Sequence, residues 1–247
     1  MATRWAVDEP VIPHWRRIRL VAVRHAESVW NAEGRAQGHL GPGLTATGRV
    51  QAAATADHLR ARYGAVGLVL TSDLDRVVET AEPYCRASGI TPVLEPRLRE
   101  IDNGSWSGLP LERIQREHAE DLMRIRRGED IPRGGGESFA DLRARVRNAL
   151  ADLAAGLPDR VPPHTELPVI AFSHGGPIRA LVAELLGLPP GGHARVEPAP
   201  NCAITEVVVW VDATGALVSG ALVAYNSRDH LAHLVTQHNV DQVAGAP

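Results

Sequence analysis

Short apolar segments alternate along this chain with longer segments of helical periodicity, and this alternation restricts the fold more than any other feature. The runs "IRLVAV", "LVLTS" and "PVIAFS" have the length and the branched aliphatic content of buried strands. Helical patterns are found at residues 45–64, 75–89, 137–156 and 176–187. Strands that alternate with helices build a parallel sheet covered on both faces. We therefore predict an α/β fold, a three-layer α/β/α sandwich around a mostly parallel central sheet.

Local signals mark the ends of these elements. Thr45 is placed to cap the first long helix, and Gly64, Gly89 and Gly187 follow the ends of three helices. Two final strands are expected on either side of the turn sequence "DATG".

The stretch between Glu100 and Gly136 shows no strand pattern. A charged helix is expected there at residues 110–128, and "RGGG" ends it. We predict that this stretch is a helical excursion over the active-site edge of the sheet and not a second domain.

Chain length predicts one domain with short additions at both ends. A chain of 247 residues can build one large core. Pro10 and Pro13 disfavour a helix in the first residues, and the end of the chain is polar. The predicted organisation is an extension at residues 1–17, an α/β domain at 18–226 and a tail at 227–247.

Charge and hydropathy exclude several classes of partner. The formal net charge is −3, so the protein as a whole does not attract nucleic acid or an anionic membrane. No run approaches the roughly 20 apolar residues of a spanning helix, and the first residues lack the apolar core of a signal peptide. We expect a cytoplasmic protein that binds neither nucleic acid nor membrane.

The residue types exclude several chemistries. All 26 basic residues are arginine, which excludes a Schiff-base lysine and a lysine-dependent phosphate loop. Two cysteines are too few for a disulfide framework. His230, His233 and His238 lack a matching set of carboxylate or cysteine ligands. We expect no metal site and no cofactor.

Chemically active side chains follow the predicted strands. The strand "IRLVAV" ends in Arg24 and His25, "LVLTS" leads to Arg76, and "PVIAFS" ends before His174. Glu100 follows a further short strand, "TPVLEP". The carboxyl ends of parallel strands share one edge of a sheet, which is where ligands bind in such folds. We expect these five residues to surround one cavity.

This combination suits phosphoryl transfer. Guanidinium groups bind a phosphate dianion, and free N–H groups at the helix that begins near Gly175 add to its binding. A histidine nitrogen can attack phosphorus, and a carboxylic acid can protonate the leaving alkoxide.

The same residues carry a resemblance to a known family. The segments "RHAESVWN", "GRAQGHLGPGLTATGRVQA", "TSDLDRVVETA", "LREIDNGSWSGL", "GGGESF" and "AFSHGGPIRAL" resemble, in order, the motifs of the histidine phosphatase superfamily, the phosphoglycerate-mutase-like proteins. The resemblance implies that His25 is the phosphohistidine nucleophile and Glu100 the proton donor. It further implies that the transferring phosphoryl is bound by Arg24, Arg76, His174, Asn31, Gln37 and the Gly175 N–H.

Two points in these motifs stay open. Ala26 stands where the family usually has glycine, and its methyl group could crowd the turn. Glu95 and Asp102 lie near Glu100 in the sequence and could take its role.

The resemblance favours a phosphatase over other functions. Glu100 and His174 lie closer in the sequence than is usual for the mutases, so we predict hydrolysis of a small phosphorylated metabolite. Because the chemistry described above needs no ion, we predict that this hydrolysis is metal-independent. A phosphoglycerate-type mutase is the alternative within the family. A catalytically silent relative that only binds a phosphorylated ligand is the alternative of another class. Specificity is expected in residues 105–140 and 190–200, and the last strand offers an edge for a homodimer.

Overall fold

A six-stranded sheet forms the centre of the computed structural model, which describes residues 14–232 and 234. The spatial order of the strands is β3-β2-β4-β1-β5-β6. Their bounds are β1 Arg16–Arg24, β2 Leu68–Thr71, β3 Val93–Leu94, β4 Glu166–Ser173, β5 Ile204–Val211 and β6 Leu217–Ser227. The central strand β1 is also the first strand of the chain, so its carboxyl end lies in the middle of one sheet edge.

Four of these strands run in the same direction. β1 pairs in parallel with β4 from Arg17 opposite Glu166 to Arg24 opposite Ser173. β2 pairs in parallel with both β4 and β3. β5 is antiparallel to β1, and β6 forms a hairpin with β5. The predicted mostly parallel sheet is confirmed, and the carboxyl ends of β1 to β4 lie at one edge.

Helices cover both faces of the sheet. The helices are α1 Val29–Ala32, α2 Ala46–Tyr63, α3 Asp75–Ser88, α4 Leu111–Glu117, α5 Ala119–Arg126, α6 Phe139–Ala155 and α7 Gly175–Leu185. Because side chains alternate along a strand, Val21 and Val23 of β1 pack in the core beneath α2 and α3. Leu20 and Ala22 pack in the core beneath α6 and α7. The predicted three-layer α/β/α sandwich is confirmed.

The predicted helix ends agree with the observed ones. Thr45 caps α2, with its Oγ1 accepting a hydrogen bond from the Gly48 N–H at 2.9 Å. Gly64 and Gly89 end α2 and α3 with positive φ values of 65° and 66°, a conformation that favours glycine. Gly187, with φ 60°, follows α7.

The predicted charged helix at residues 110–128 is interrupted, which corrects that prediction. His118 leaves helical geometry, with φ −124° and ψ 32°, and divides the segment into α4 and α5. Its ring lies against Trp106, with 5.2 Å between the ring centroids. Sequence periodicity does not register this tertiary contact.

The excursion after Glu100 is closed at its base. The N–H of Glu137 donates to the carbonyl oxygen of Asp102 at 2.9 Å, and a carboxylate oxygen of Glu137 accepts from the Asp102 N–H at 2.9 Å. Gly104 and Gly134 cross so closely that a Cβ at Gly104 would lie 2.3 Å from the Gly134 oxygen. Among the described residues of this excursion, none lies in a strand of the sheet, in agreement with the prediction.

The proposed domain limits stay a prediction. β1 begins at Arg16, inside the expected extension. Leu231, in the expected tail, is buried against the domain. Residues 1–13, His233 and His238 lie outside the described residues. In the part of the chain that the structure describes, no helix is both long and apolar enough to cross a membrane.

Candidate active site

The carboxyl ends of β1 and β4 bring two histidines together. Arg24 and Ser173 are register partners, so His25 and His174 follow neighbouring strands directly. The His25 N–H donates to the Ser173 carbonyl at 2.9 Å, and the ring centroids of the two histidines lie 5.2 Å apart. Both side chains are buried, with 2% and 0% exposure. The predicted proximity of the two imidazoles is therefore observed.

A backbone carbonyl fixes the tautomer of His25. Its Nδ1 lies 2.7 Å from the carbonyl oxygen of Ala26. Because a carbonyl oxygen can only accept, Nδ1 carries the ring proton. Nε2 therefore keeps its lone pair, which is the electronic state that a nucleophile requires.

His174 has the opposite tautomer. Its Nδ1 accepts from Nη2 of Arg76 at 3.2 Å, since a guanidinium can only donate. Its Nε2 therefore carries the proton and lies 2.9 Å from the hydroxyl oxygen of Ser72. Ser72 follows β2 directly and was not among the predicted site residues.

The surroundings keep both imidazoles neutral. Burial holds the pKa of His25 well below 6.5, and the charges of Arg24 and Arg76 lower it further. Burial and the charge of Arg76 likewise hold the pKa of His174 well below 6.5. The site therefore combines uncharged imidazoles with permanently cationic guanidinium groups.

Backbone oxygens hold the two predicted phosphate-binding arginines. Arg76 is buried and donates to the carbonyl oxygens of Gly38 at 2.7 Å and Leu40 at 3.0 Å. Arg24 donates to the Ala199 carbonyl at 2.5 Å. Each Nε is buried without a hydrogen-bond partner. Because neither guanidinium is neutralised by a carboxylate within ion-pair distance in the described residues, both retain charge for an anion.

Ser28 links the two predicted amide residues. Its hydroxyl lies 3.1 Å from Oδ1 of Asn31 and 2.8 Å from Oε1 of Gln37. Asn201 donates to the same Asn31 oxygen at 3.1 Å and to the His25 carbonyl at 3.0 Å. Asn201 thus ties the predicted nucleophile to the amide cluster, although its sequence position carries no motif that could have identified it.

Glu100 lies at the start of α7. The Gly176 N–H donates to both carboxylate oxygens, at 3.1 and 3.2 Å, and the Ile101 N–H donates to Oε1 at 2.8 Å. Backbone groups at a helix N-terminus favour a negative charge at this position. No residue other than glycine is compatible with this contact at position 176, because a Cβ there would lie 2.0 Å from Oε1.

The two alternatives to Glu100 point elsewhere. Glu95 forms an ion pair with Arg97 at 2.6 Å. Asp102 accepts from the Gly104 N–H at 2.9 Å. Neither residue lines the cavity that contains Glu100.

A solvent-connected cavity of about 240 Å³ contains most of the predicted residues. Of the predicted set, the cavity is lined by Arg24, His25, Asn31, Gln37, Arg76, Glu100 and Gly175. His174 does not line it and instead contacts Arg76 behind the wall. The structure therefore brings the predicted residues together, and their chemical roles remain predictions.

Several residues that the sequence analysis did not assign also line this cavity, namely Arg35, Asn103, Arg133 and Arg179. Two of them had a usable signal. Arg133 directly precedes the "GGG" run, and Arg179 lies one helical turn after Gly175. The sequence shows that both residues are charged, but it does not show that their side chains point into the cavity.

Ala26 causes no crowding. It is fully buried beside Leu44, Ala52 and Cys202. Its N–H donates to the Thr80 hydroxyl at 3.0 Å, and its φ is not positive. The turn therefore accommodates alanine where the family usually has glycine.

Potential metal ligands are dispersed in the described residues. Across residues 14–232 and 234, no three His, Cys, Asp or Glu side chains are grouped so that they could hold an ion. His230 stacks on His58 instead, with 4.9 Å between ring centroids.

Comparison with known proteins agrees with the geometry of this site. A family model described as the histidine phosphatase superfamily (branch 1) matches residues 20–219. Phosphoserine phosphatase 1 of Hydrogenobacter thermophilus is 34% identical over 172 residues, which cover 69% of this chain and 77% of that protein. The probable phosphoglycerate mutase GpmB of Yersinia enterocolitica is 35% identical over 193 residues, which cover 77% of this chain and 84% of that protein.

A solved structure shows the same fold. The mycobacterial glucosyl-3-phosphoglycerate phosphatase complexed with VO3 superposes with a TM-score of 0.73 at 32% identity. The superposition covers 85% of this chain and 99% of that chain.

Proposed function

The chain belongs to the histidine phosphatase superfamily, and we propose that it hydrolyses a small phosphomonoester through a phosphohistidine formed on His25. Enzymes of this superfamily use a phosphohistidine intermediate, and the relatives named as phosphatases agree with the class of phosphoric monoester hydrolases. The observation that carries the proposal is the neutral, buried His25, whose Nδ1 proton is fixed by the Ala26 carbonyl. Beside it lie two guanidinium groups that have no acidic partner among the described residues.

In the first step, the phosphoryl group of the ester binds between Arg24 and Arg76. Nε2 of His25 attacks phosphorus, a P–N bond forms, and the P–O bond to the leaving alkoxide breaks. Glu100 gives its proton to this alkoxide, which leaves as an alcohol. A carboxyl group beside a phosphate dianion retains its proton more easily, which favours this role.

In the second step, water replaces the alcohol. Glu100, now a carboxylate, accepts a proton from the water as its oxygen attacks phosphorus. The P–N bond breaks, and His25 regains its neutral state with the lone pair on Nε2. Arg24 and Arg76 stabilise the charge on the equatorial oxygens in both steps, because they are fixed before the reaction begins.

A phosphomutase is the second candidate, because one of the similar proteins is named a probable phosphoglycerate mutase. A mutase returns the phosphoryl group from His25 to another hydroxyl of the substrate and not to water. Isomerisation of a phosphoglycerate that is stimulated by bisphosphoglycerate, with little release of phosphate, identifies this activity.

The direct test is phosphate release from p-nitrophenyl phosphate by wild type and by His25→Ala. We expect a loss of at least about a thousand-fold in kcat/KM for the variant. His58→Gln is the matched control, since His58 stacks on His230 outside the cavity. Rapid quenching followed by peptide mass spectrometry should locate the phosphoryl group on His25. Undiminished turnover by His25→Ala contradicts the assignment of the nucleophile.

A chelator and vanadate test whether the reaction proceeds without a metal ion. We expect activity to survive a chelator, because no step above uses an ion. Vanadate should inhibit as a mimic of five-coordinate phosphorus. Loss of activity with the chelator that is restored by a divalent ion contradicts the metal-independent mechanism.

A further inference from the structure

Two arginines line the cavity beyond the pair assigned to the phosphoryl group. Arg133 begins a short 3₁₀ turn of the excursion, just before α6. Arg179 lies on α7, one turn after Gly175. They come from different elements, and both line the cavity that also contains His25 and Glu100.

The two side chains have few partners. Among the described residues, the guanidinium of Arg133 makes no hydrogen bond or ion pair. Arg179 donates from Nη2 to the carbonyl of His193 at 2.7 Å, and its Nε is buried without a partner. Burial lowers the pKa of both arginines, and their mutual proximity lowers that of Arg133 further.

Acidic residues nearby do not neutralise these charges. Asp130 directs both carboxylate oxygens at the start of α6, accepting from the N–H groups of Phe139 at 2.8 Å and Ala140 at 3.0 Å. The charge of Glu100 favours the charged form of both arginines, and that of Glu197 favours the charged form of Arg179, but neither carboxylate lies within ion-pair distance of them. A desolvated guanidinium without a partner is costly, so these positions favour an anionic ligand.

Charge counting leads to the same conclusion. The cavity-lining arginines without an ion pair in the described residues are Arg24, Arg76, Arg133 and Arg179. Arg35, which also lines the cavity, is paired with Glu33 at 2.8 Å. With Glu100 protonated, as the first step of the proposed mechanism requires, these four arginines sum to +4, and a phosphate ester brings about −2 at neutral pH. Positive charge is therefore left over after the phosphoryl group has bound.

We infer that Arg133 and Arg179 form a second anion subsite, and that the substrate is a phosphomonoester with another anionic group, a carboxylate or a second phosphate, on its leaving alcohol. This inference rests on the proposed function, because it takes the first anion to be the phosphoryl group at His25. Phe139 and Leu142 also line the cavity and offer apolar surface to a short carbon skeleton.

The test compares esters that differ in one group. Glycerol 3-phosphate and 3-phosphoglycerate differ by a hydroxymethyl group against a carboxylate, and 1,2-ethanediol monophosphate and bisphosphate test the second phosphate. The quantity measured is the ratio of kcat/KM within each pair, for wild type, Arg133→Gln and Arg179→Gln. Arg116→Gln is the matched control, because Arg116 is exposed on α4 in the same excursion.

We expect wild type to prefer the doubly anionic ester of at least one pair by about 10-fold or more. Either variant should abolish most of that preference, a loss of about 10-fold or more, which is typical of a lost charge-assisted hydrogen bond. Arg133→Lys should retain an intermediate preference, and Arg116→Gln the full one. The pair that shows the effect identifies the second anion as a carboxylate or a phosphate.

Other outcomes separate the two proposals. Hydrolysis of p-nitrophenyl phosphate that depends on His25, without preference in either pair, overturns the subsite and leaves the phosphatase assignment intact. A preference that both glutamine variants retain also overturns it. If wild type hydrolyses no ester, the proposed function fails, and calorimetric binding of the same pairs then decides the subsite. Equal affinity for the two esters of each pair overturns the subsite. Tighter binding of the ester with the second anionic group supports the subsite if Arg133→Gln abolishes that difference.

Discussion

The backbone N–H of Gly176 donates to both carboxylate oxygens of Glu100, at 3.1 and 3.2 Å. The two residues lie 76 positions apart in the chain and meet because the excursion starts beside the N-terminus of α7. The contact fixes the carboxylate of the proposed proton donor, and Glu100 also lines the cavity.

Gly176→Ala should strongly reduce activity. The new Cβ would lie 2.0 Å from Oε1 of Glu100, so the carboxylate must move away from α7. We expect kcat for p-nitrophenyl phosphate to fall by about 100-fold, within the range of general acid catalysis, with a smaller change in KM.

Gly175→Ala is the neighbouring comparison. Its Cβ would meet nothing closer than 3.8 Å, an ordinary van der Waals distance. The loss in kcat should therefore be much smaller than for Gly176→Ala. Equal losses in the two variants would show that helix conformation, and not the position of Glu100, is responsible.

Arg145 should act as a positioning residue for Glu100. From α6 it donates to the carbonyl oxygens of Arg97, Arg99 and Glu100, each at 2.7 Å, and it pairs with Glu137 at 2.8 Å. Arg145→Gln should lower kcat by about 10-fold with little change in KM, because the loop that carries the carboxyl group loses its support.

Arg147 provides the control for this prediction. It lies on the same helix, is exposed, and lines a surface groove away from the active cavity. Arg147→Gln should leave kcat and KM unchanged. A parallel rise in KM for Arg145→Gln, with kcat preserved, would contradict a role in positioning the acid.

His193 should make folding stability depend on pH. Burial lowers its pKa from 6.5 to about 4, and the charges of Arg179 and Arg133 contribute. Below pH 6.5 the His193 imidazole is protonated in the unfolded chain, but in the folded chain it stays neutral until the pH approaches 4. The free energy of unfolding therefore falls as the pH falls through this window. The loss should reach about 2 kcal/mol at about pH 5.

Urea unfolding of wild type and His193→Gln at about pH 7.5 and about pH 5 measures this effect. The variant should lose less stability between the two conditions, by about the same 2 kcal/mol. Glutamine can still occupy the flat space against Phe139, on which the imidazole stacks at 3.4 Å between centroids. Equal losses in the two proteins would exclude His193 as the titrating group.

Both cysteines should be unreactive in the folded protein. Burial raises the pKa of Cys85 to about 11 and that of Cys202 to about 11, and thiolate is the reactive form. A thiol reagent such as Ellman's reagent should give no rapid reaction before denaturant is added. A fast phase in the native protein, with loss of activity, would contradict this expectation.

Strand and helix periodicity predicted the layers and most of the helix ends, because these depend on local preference and on a repeated apolar face. Thr45, Gly64 and Gly89 occupy the cap positions that their chemistry favours. The break at His118 was missed, since its ring contact with Trp106 joins residues that periodicity treats as independent.

The candidate site was predictable where residues follow strands directly. Arg24, His25 and His174 lie at strand ends, and the parallel sheet brings such ends together. Asn201 and Arg145 were not predictable, because they act through backbone oxygens of distant segments. His174, which was expected at the cavity, contacts Arg76 and does not itself line the cavity.

The two hydrogen bonds between Asp102 and Glu137 hold the two ends of the excursion together, so that it forms a separate module. Residues 103–136 begin and end at adjacent points and contribute no strand to the sheet, so a change in their length need not break the pairing of β1, β2 and β4. A chimera that exchanges only this module with a relative should therefore inherit the donor's choice of alcohol while keeping its own nucleophile. New ester preferences can arise in this way without rebuilding the reaction centre.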